Sequence, residues 1–292
     1  MNFNAEFRRK IDIVDKALDF FTKPIDNEQS AIYEAMRYSL LSGGKRIRPV
    51  MVLACEELFS NEENSLPFAC ALEMIHTYSL IHDDLPCMDN DDLRRGKPTN
   101  HIVYGEAMAV LAGDALLTNA FSVALKHSKL APKQTLNAAL TLSNAAGTEG
   151  MIGGQVIDMA SEGRRIDEKT LRTMHLCKTG ALIIAAVRLG AIAGGASLDD
   201  ISRLEDFAHN LGIAFQIKDD ILDVEGNEAL LGKKTGMDKE NQKTTFVTLY
   251  GLEKSKELLN EYTEKAKEAL TFYGDKAEFL IKLSDYLLKR EV

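Results

Sequence analysis

The sequence predicts an all-α fold, a single-domain helical bundle around a central cavity. Apolar residues recur at helical spacing along almost the whole chain, and no segment shows the alternation of a half-buried strand. All six prolines lie at or before Pro132, and a long proline-free remainder is typical of long helices. Since no low-complexity linker divides the chain, we expect one domain over residues 1–292.

The first marked helices are separated by a pair of glycines. Apolar spacing predicts a helix over 31–41, which Gly43 and Gly44 end. Pro49 suits the first turn of the next helix, over 50–59, where its missing amide hydrogen costs nothing. The glycines therefore start a loop that leads into a helix N-terminus.

Later helices are predicted from their first residues. Ser65 should cap a helix that has Pro67 in its first turn, and Pro132 opens another. Ser197 and Asp200 resemble a capping box, with Asp in place of Glu. These later helices are expected over 65–81, 132–146, 201–224, 252–270 and 277–288.

Charge and cysteine content exclude several classes of protein. The net charge of −9 argues against a nucleic-acid partner. Four scattered cysteines indicate free thiols in a reducing, cytoplasmic setting, and the first ten residues lack a signal-peptide core. The most apolar stretch, 180–196, is interrupted by Arg188 and is shorter than the ~20 residues of a membrane span. We therefore expect a buried core helix there and no membrane span.

Two clusters of aspartates each follow a strongly apolar stretch. Carboxylates beside apolar surface are costly unless a partner neutralises them. A divalent metal carrying a diphosphate, with an apolar tail along the apolar stretch, would resolve this conflict. The first cluster contains Asp83, Asp84 and Asp89, and the second contains Asp219, Asp220 and Asp223.

The two clusters differ in local geometry. Asp219 and Asp223 share one helix face with Gln216, although this pattern alone is more often a solvated acidic face. Pro86 excludes a regular helix in the first cluster, so we expect a bulge that aims Asp83 and Asp89 at a common point. The oxygen ligands lack the spacing of a calcium loop and favour Mg²⁺.

Basic side chains lie where phosphates would need them. The loop before the 50–59 helix carries Lys45, Arg46 and Arg48 at a helix N-terminus, which favours anions. Arg94 and Arg95 follow the first cluster, where guanidinium groups suit a diphosphate as well as a plain salt bridge.

Three other features belong to the same expectation. His76 lies nearly on the face of the first cluster, whereas the other histidines, His175 among them, show no ligand spacing. A glycine should loosen the helix at 178–180 and free carbonyls that, with the Gln216 amide oxygen, would stabilise a cation. The glycines within 153–158 indicate close helix packing, with Gln155 and Asp158 as buried polar partners.

Taken in order, these motifs resemble the trans-isoprenyl diphosphate synthases over essentially the whole chain. The combination is specific, although no single motif is. The resemblance implies a homodimer that condenses isopentenyl diphosphate with allylic diphosphates, dimethylallyl and geranyl. The matching segments are GGKRIRP, DDLPCMDNDDLRRGKPTNH, GGQVIDM, KTG, FQIKDDILD, GKKTGMD and KTTF.

The resemblance also implies roles for residues at matching positions. The first magnesium site would be Asp83 and Asp89, with Asp84 beside them. The main ligand of the second site would be Asp219, with Asp220 and Asp223 in support. The isopentenyl diphosphate group would be Lys45, Arg48, His76 and Arg95. The allylic diphosphate would contact Arg94, Lys178, Lys233 and Lys243, and the cation would be lined by Thr179 and Gln216. Met237 departs from the family, where many members have a basic residue near Asp238.

The implied mechanism uses metal and basic groups to ionise the allylic diphosphate. The aspartate clusters would hold three Mg²⁺ ions, or Mn²⁺ in their place, which together with the basic groups would supply the electron withdrawal that lets the C–O bond of the allylic diphosphate break. The double bond of isopentenyl diphosphate attacks the cation, and a proton leaves to the departing diphosphate. The protein positions the substrates, stabilises the leaving group and excludes water.

Product length is expected to depend on the helix before the first cluster. Periodicity places Ser79 one turn before Asp83 on nearly the same face, and Tyr78 to one side. In the family, an aromatic residue at the Tyr78 position limits the product, so the resemblance implies fifteen-carbon farnesyl diphosphate. The surrounding segment also resembles twenty-carbon synthases, which leaves geranylgeranyl diphosphate as the alternative.

Two other classes share some of these motifs. A terpene cyclase ionises one prenyl diphosphate and needs no isopentenyl site, so the basic loop and the second aspartate cluster argue against it. A non-catalytic partner subunit could lose its acids, so two intact clusters argue against that class.

Overall fold

The computed structural model describes residues 1–225 and 243–288. In residues 1–146, helices follow one another with a single short hairpin between them. The helices are α1 (Phe3–Phe21), α2 (Ser30–Leu40), α3 (Ile47–Glu56), α4 (Leu66–Asp83), α5 (Asn100–Tyr104), α6 (Glu106–Lys126) and α7 (Pro132–Ala146). The hairpin pairs β1 (Leu93–Arg94) antiparallel with β2 (Lys97–Pro98).

The rest of the described chain is helical as well, which confirms the all-α prediction. One of its helices contains a π-helical turn. The elements are α8 (Met151–Ser161), α9 (Glu168–His175), the π turn (Leu176–Gly180), α10 (Ala181–Gly194), α11 (Leu198–Glu225), α12 (Phe246–Tyr250), α13 (Leu252–Leu270), a 3₁₀ segment (Thr271–Ala277) and α14 (Glu278–Leu288).

The core is built around two helices, α4 and α10. Both bury side chains on all sides, for example Phe68 and Met74 of α4 and Leu189 of α10. A helix that is apolar all round must be enclosed by others. α4 packs against α3 and α6, and α10 packs against α3, α7 and α11. The end of α4, where the first aspartate cluster begins, is therefore held at the centre of the bundle.

A glycine brings α10 unusually close to α3. A Cβ atom at Gly190 would lie 2.2 Å from the Val52 carbonyl oxygen and 2.6 Å from Cys55 Cβ. Only a residue without a side chain allows two helix backbones to approach this closely. This contact fixes α3, and with it the basic loop that precedes α3, against the core.

Predicted helix bounds agree with the structure to within three residues, but one predicted cap is wrong. The Ser65 hydroxyl does not cap α4, because it donates to the buried carboxylate of Glu56, which also accepts from the Ser65 amide at 3.0 Å. At the start of α11, the predicted cap is confirmed: Ser197 Oγ accepts from the Asp200 amide at 3.1 Å.

Two stretches of the described chain are long and apolar enough to cross a membrane by length and composition alone. They are Glu106–Lys126 and Glu168–Gly194, and 39% and 56% of their apolar windows are buried in the fold. Buried core helices of soluble proteins pass the same test, so these two stretches are weak evidence for a membrane span.

Candidate active site

The first aspartate cluster lies where α4 ends. The helix stops at Asp83, and the chain turns back on itself through Pro86, with the Met88 amide donating to the Leu85 carbonyl at 2.8 Å. The Asp89 amide donates to the Asp83 carbonyl, also at 2.8 Å. The predicted break in the helix is confirmed, and this backbone hydrogen bond holds Asp89 beside Asp83.

Asp83 carries a carboxylate that is poorly compensated within the protein. Burial raises its pKa to about 6, and the neighbouring carboxylates of Asp89 and Asp84 act in the same direction. Lys178 and Arg94 oppose them without cancelling them. A bound cation would relieve this desolvation, because an opposite charge nearby favours the ionised form.

Asp84 and Arg94 are bound to each other. Arg94 Nε and Nη2 donate to Asp84 Oδ1 at 2.8 and 2.6 Å, and the Asp84 side chain is buried. The hairpin of β1 and β2 carries Arg94 into this position. The sequence assigns one of these side chains to metal and the other to diphosphate, whereas here they form a bidentate ion pair.

His76 lies two turns before Asp83 on α4, and two arginines from other elements lie near it. Arg48, in the first turn of α3, donates from Nη1 to Nε2 of His76 at 3.2 Å. Arg95 Nη1 donates to the Gly43 carbonyl, and its guanidinium covers Gly44, where a Cβ would lie only 2.5 Å away. We call Arg48, His76 and Arg95 the basic cluster.

Nearby acidic groups do not fully balance the positive charge of the basic cluster. Burial, and then the neighbouring arginines Arg48 and Arg95, hold the pKa of His76 well below its usual range. Burial and Arg95 also lower the pKa of Arg48, against the opposing charge of Glu73. Among the described residues, Arg48 Nε is buried without a hydrogen-bond partner. Such an arrangement is suited to receive an anion.

Arg46, from the same loop, belongs to the scaffold instead. Its guanidinium is buried and donates to Asp15 Oδ1 at 2.8 Å, Glu73 Oε1 at 2.9 Å and the Leu40 carbonyl at 2.7 Å. Sequence reasoning placed it with Lys45 and Arg48 in the anion loop. The structure separates it from them and leaves Lys45 exposed at the surface of that loop.

A cleft opens beside the basic cluster. It lies between α2, α4 and the hairpin, and its walls include His76, Asp84, Arg94 and Arg95. The cleft therefore connects the basic cluster with the first aspartate cluster.

The π turn carries Lys178 toward the first aspartate cluster. Lys178 Nζ forms a 2.5 Å ion pair with Asp158 Oδ2 of α8, and Lys243 Nζ lies 4.0 Å from Asp158 Oδ1. Asp158, Asp83 and Asp89 together raise the pKa of Lys178 against the effect of burial. A Cβ at Gly154 would lie 2.1 Å from the Lys178 amide nitrogen, so the predicted close packing at this glycine is confirmed. The predicted interruption at 178–180 is confirmed too, because a π turn lies there. Such turns are frequent at functional sites.

The second aspartate cluster lies near the C-terminal end of α11. Asp220 is buried, and its Oδ2 accepts a 2.7 Å hydrogen bond from the Phe246 amide at the start of α12. Gln216 Nε2 donates to Asp219 Oδ2 at 3.5 Å, one turn along the helix. Asp223 is buried as well. α11 also packs directly against the π turn, so the second cluster and Lys178 are on neighbouring elements.

His175 is a site residue that sequence reasoning missed. Its side chain is buried and stacks on the Phe246 ring at 5.8 Å, and its Nε2 has no hydrogen-bond partner among the described residues. Burial lowers its pKa to about 4, although Asp158 opposes that effect. Its position one turn before Lys178 was the available signal, because residues three apart on a helix share a face.

The other predicted residues lie on elements already described, except for two that are outside the described residues. Thr179 is half-buried in the π turn. Tyr78 is buried on α4, and Ser79 Oγ donates to the His76 carbonyl at 2.9 Å. Lys233, and Met237 where the sequence departs from the family pattern, lie outside the described residues.

Within residues 1–225 and 243–288, no three or more His, Cys, Asp or Glu side chains form a metal-binding cluster. Mg²⁺ does not require one, because it commonly takes one or two carboxylates and completes its shell with water and phosphate oxygens. The poorly compensated carboxylate of Asp83, with Asp89 beside it, fits a metal that arrives with a diphosphate.

Comparison with known proteins gives one consistent result. The Polyprenyl synthetase family model matches residues 29–274. Farnesyl diphosphate synthase of Bacillus subtilis (strain 168) is 45% identical over 281 residues, which is 95% of this chain and 95% of that protein.

A relative with a different product is equally similar. Heterodimeric geranylgeranyl pyrophosphate synthase large subunit 1 of Arabidopsis thaliana is 49% identical over 298 residues, 99% of this chain and 80% of its own length. The crystal structure of an FPP/GFPP synthase from Zymomonas mobilis superposes with a TM-score of 0.89 at 36% identity, covering 98% of this chain and 99% of that one.

Proposed function

Since the chain belongs to the polyprenyl synthetase family, we propose that this prenyltransferase condenses isopentenyl diphosphate with dimethylallyl and then geranyl diphosphate to give farnesyl diphosphate. The observation that carries the proposal is the basic cluster beside a half-buried, poorly compensated aspartate. Arg48 Nε is buried without a partner in the described chain, and Asp83 has a pKa of about 6. An anion site adjoining a cation site fits two diphosphates bound side by side, one of them with metal.

We assign the diphosphate of isopentenyl diphosphate to the basic cluster, with Lys45 at its edge. The surroundings of Arg48 support this, because nearby acidic groups do not fully balance its positive charge. A bound diphosphate would supply the missing negative charge. The family resemblance points to the same residues. The cleft beside the cluster reaches Asp84 of the first aspartate cluster, which would place the two substrates next to each other.

The metal would be held by Asp83 and Asp89 on one side and by Asp219 on the other, with Asp84, Asp220 and Asp223 in support. Three Mg²⁺ ions, or Mn²⁺, would supply electron withdrawal from the allylic diphosphate when bound. The present hydrogen bonds of Asp84 to Arg94 and of Asp220 to Phe246 favour a supporting role for both carboxylates.

The remaining work falls to this chain's own side chains. Lys178 and Arg94, joined by Lys233 and Lys243, would neutralise the departing diphosphate. The raised pKa of Lys178 keeps its ammonium protonated throughout. The amide oxygen of Gln216 and the Thr179 side chain would face the allylic cation, which fixed dipoles stabilise without reacting.

We propose farnesyl diphosphate as the product because Tyr78 is a bulky, buried aromatic residue five positions before Asp83. The buried ring would block the growing chain beside the first cluster, as the family resemblance implies, while Ser79 leaves space under the metal. Geranylgeranyl diphosphate is the second candidate, favoured by the names of several relatives of 46–49% identity.

The activity is tested with purified protein, Mg²⁺, isopentenyl diphosphate and dimethylallyl diphosphate, followed by chromatography of the dephosphorylated product. We expect an alcohol of fifteen carbons and release of diphosphate. Asp83→Asn should lower kcat/KM by about 10²-fold or more, since it removes one charge from the leaving-group site. Asp206→Asn, at an exposed position of α11, is the matched control. No elongation by the unaltered chain would refute the proposal.

The product length is tested with Tyr78→Met. Methionine is flexible and less bulky than tyrosine, so the chain should grow past this position and the twenty-carbon fraction should rise at least tenfold. The ratio of twenty- to fifteen-carbon alcohols is the measurement. An unchanged ratio would remove Tyr78 as the determinant of length.

We also propose that the protein is a cytoplasmic homodimer. All four cysteines are free thiols in the structure, which fits a reducing compartment. The dimer is supported by the family resemblance and by exposed apolar side chains on neighbouring helices, which are considered below.

A further inference from the structure

We propose that His82 is a positioning residue for product length. Its imidazole lies against Gly113 and holds the Tyr78 ring in place. The inference rests on the proposed function, because it needs Tyr78 to limit the product. It adds that residues of α4 and α6 hold the Tyr78 ring in one orientation, so that the ring can limit the length of the product.

Tyr78 and His82 are one helical turn apart on α4 and their rings touch. The ring centroids are 5.7 Å apart and the planes meet at 77°, an edge-to-face arrangement. Aromatic pairs prefer an edge-to-face or offset arrangement to a direct face-to-face one. The orientation of the Tyr78 ring is therefore coupled to the imidazole.

The imidazole is itself fixed from the opposite side. His82 Nε2 lies 3.0 Å from the Val110 carbonyl oxygen of α6. A carbonyl oxygen only accepts, so Nε2 carries the proton and donates it. His82 thus links Tyr78 to the neighbouring helix, with which α4 makes its most extensive packing.

Gly113 provides the space for this link. A Cβ on Gly113 would lie 2.1 Å from His82 Nε2 and 2.5 Å from Cδ2, well inside van der Waals contact. Any larger residue at this position would push the imidazole off the Val110 carbonyl. Gly113 is in regular α-helix, so its backbone conformation does not itself require glycine.

Within the described part of the chain, the hydroxyl of Tyr78 makes no hydrogen bond that would fix the ring independently of His82. Among the described residues, Tyr78 Oη is buried and has no hydrogen-bond partner. A buried hydroxyl without a partner gives no directional restraint, so packing alone sets the ring. His82 supplies one wall of that packing, and its removal would leave a cavity into which the Tyr78 ring can turn.

The first consequence to test is that loosening His82 lengthens the product. His82→Ala should raise the ratio of twenty- to fifteen-carbon product at least fivefold under the assay given above. His82→Gln retains an amide N–H that can reach the Val110 carbonyl, and it should restore a ratio within twofold of the unaltered protein. Gly113→Ala, which displaces the imidazole with His82 intact, should raise the ratio at least threefold.

The matched control is His127→Ala. His127 also packs against an aromatic ring, that of Phe21 at 4.7 Å, but at the far end of α6. It should leave the product ratio unchanged. The rate of the first condensation should stay within threefold in the His82 and Gly113 variants, because a merely damaged Asp83 site would slow that step without changing the ratio.

Coupling to Tyr78 is tested in the Tyr78→Met background. If His82 acts through the Tyr78 ring, His82→Ala should add less than twofold to the ratio there. A longer product from Tyr78→Met with no effect of His82→Ala or Gly113→Ala would overturn this inference and leave the proposed function intact. An additive effect in the double variant would also overturn it.

Failure of Tyr78→Met itself would instead count against the product-length part of the proposed function, and this inference would fall with it. If His82→Ala does not fold, as judged by circular dichroism, Gly113→Ala and His82→Gln decide the question on their own.

Discussion

Single side chains at the site are held by partners that sequence spacing does not reveal. Spacing placed Asp83, Asp89 and His76 near one another, because all three depend on the local course of one helix. It did not reveal that Asp158 pairs with Lys178, or that His175 stacks on Phe246, because these contacts join different helices. A lone histidine on an apolar face has too many ordinary explanations for sequence alone to choose among them.

The buried His175 should make stability depend on pH. An unfolded histidine has a pKa near 6.5, whereas burial lowers that of His175 to about 4 in the fold. Between these values the unfolded state binds more protons, so stability is fully present above pH 6.5 and is lost as pH falls toward 4. Asp158 and Gln216 favour the charged form and Lys178 opposes it, but burial dominates.

The free energy of unfolding of the unaltered protein should fall between pH 7 and pH 4.5. We expect this fall to be about 2.5 kcal/mol smaller in His175→Gln. Urea denaturation at the two pH values measures this difference. His209→Gln, at an exposed position on α11, is the control and should follow the unaltered protein. Equal pH dependence in the His175 variant and the unaltered chain would show that the imidazole titrates normally in the fold.

At the scale of elements, helices were predictable where local signals determined them. Pro132 and Ser197 mark their helices correctly, because proline geometry and a capping hydroxyl act within one turn. The cap predicted at Ser65 is wrong, because the Ser65 hydroxyl donates its hydrogen bond to Glu56, nine residues earlier. The hairpin of β1 and β2 escaped prediction since each strand has only two residues, too few for any periodicity.

The α3–α10 contact provides a test at this scale. A Cβ at Gly190 would press on backbone atoms of α3, which cannot move away as a side chain could. Gly190→Ala should lower the free energy of unfolding by about 2 kcal/mol or more, in spite of alanine's better helix propensity. Chemical denaturation at pH 7 gives the value.

Gly180→Ala is the comparison for that experiment. The nearest atom to a Cβ there is 3.5 Å away, an ordinary contact, and the residue has a helical backbone. We expect a change within about 1 kcal/mol, because propensity alone is at work. If both variants are equally stable, the close approach of α3 and α10 does not matter energetically.

The whole molecule presents an uneven surface. Ten of the eighteen large apolar side chains that are exposed in the described chain lie on α5 to α8, which are packed in succession. Scattered exposed apolar residues are normal, but concentration on neighbouring helices marks an interaction surface. The ten are Ile102, Val103, Val110, Leu111, Leu125, Leu136, Leu140, Ile152, Val156 and Met159.

We expect light scattering to give a mass about twice the 32.3 kDa of one chain. Leu111→Glu combined with Leu140→Glu should shift the protein to monomer, because buried unpaired carboxylates oppose association. Leu198→Glu, at an exposed site on α11, should remain dimeric. A monomeric unaltered chain at micromolar concentration would exclude the homodimer.

The π turn at Leu176–Gly180 affects how this chain can be compared with others. A π turn contains about one residue more than an α-helical turn. The side chains that follow it are therefore displaced by roughly 100° on a helical wheel. A wheel drawn through 168–194 as one regular helix would therefore place His175 and Leu189 on the wrong relative faces. Deleting one residue within the turn would convert it to regular helix and rotate either Lys178 away from Asp158 or α10 away from α3.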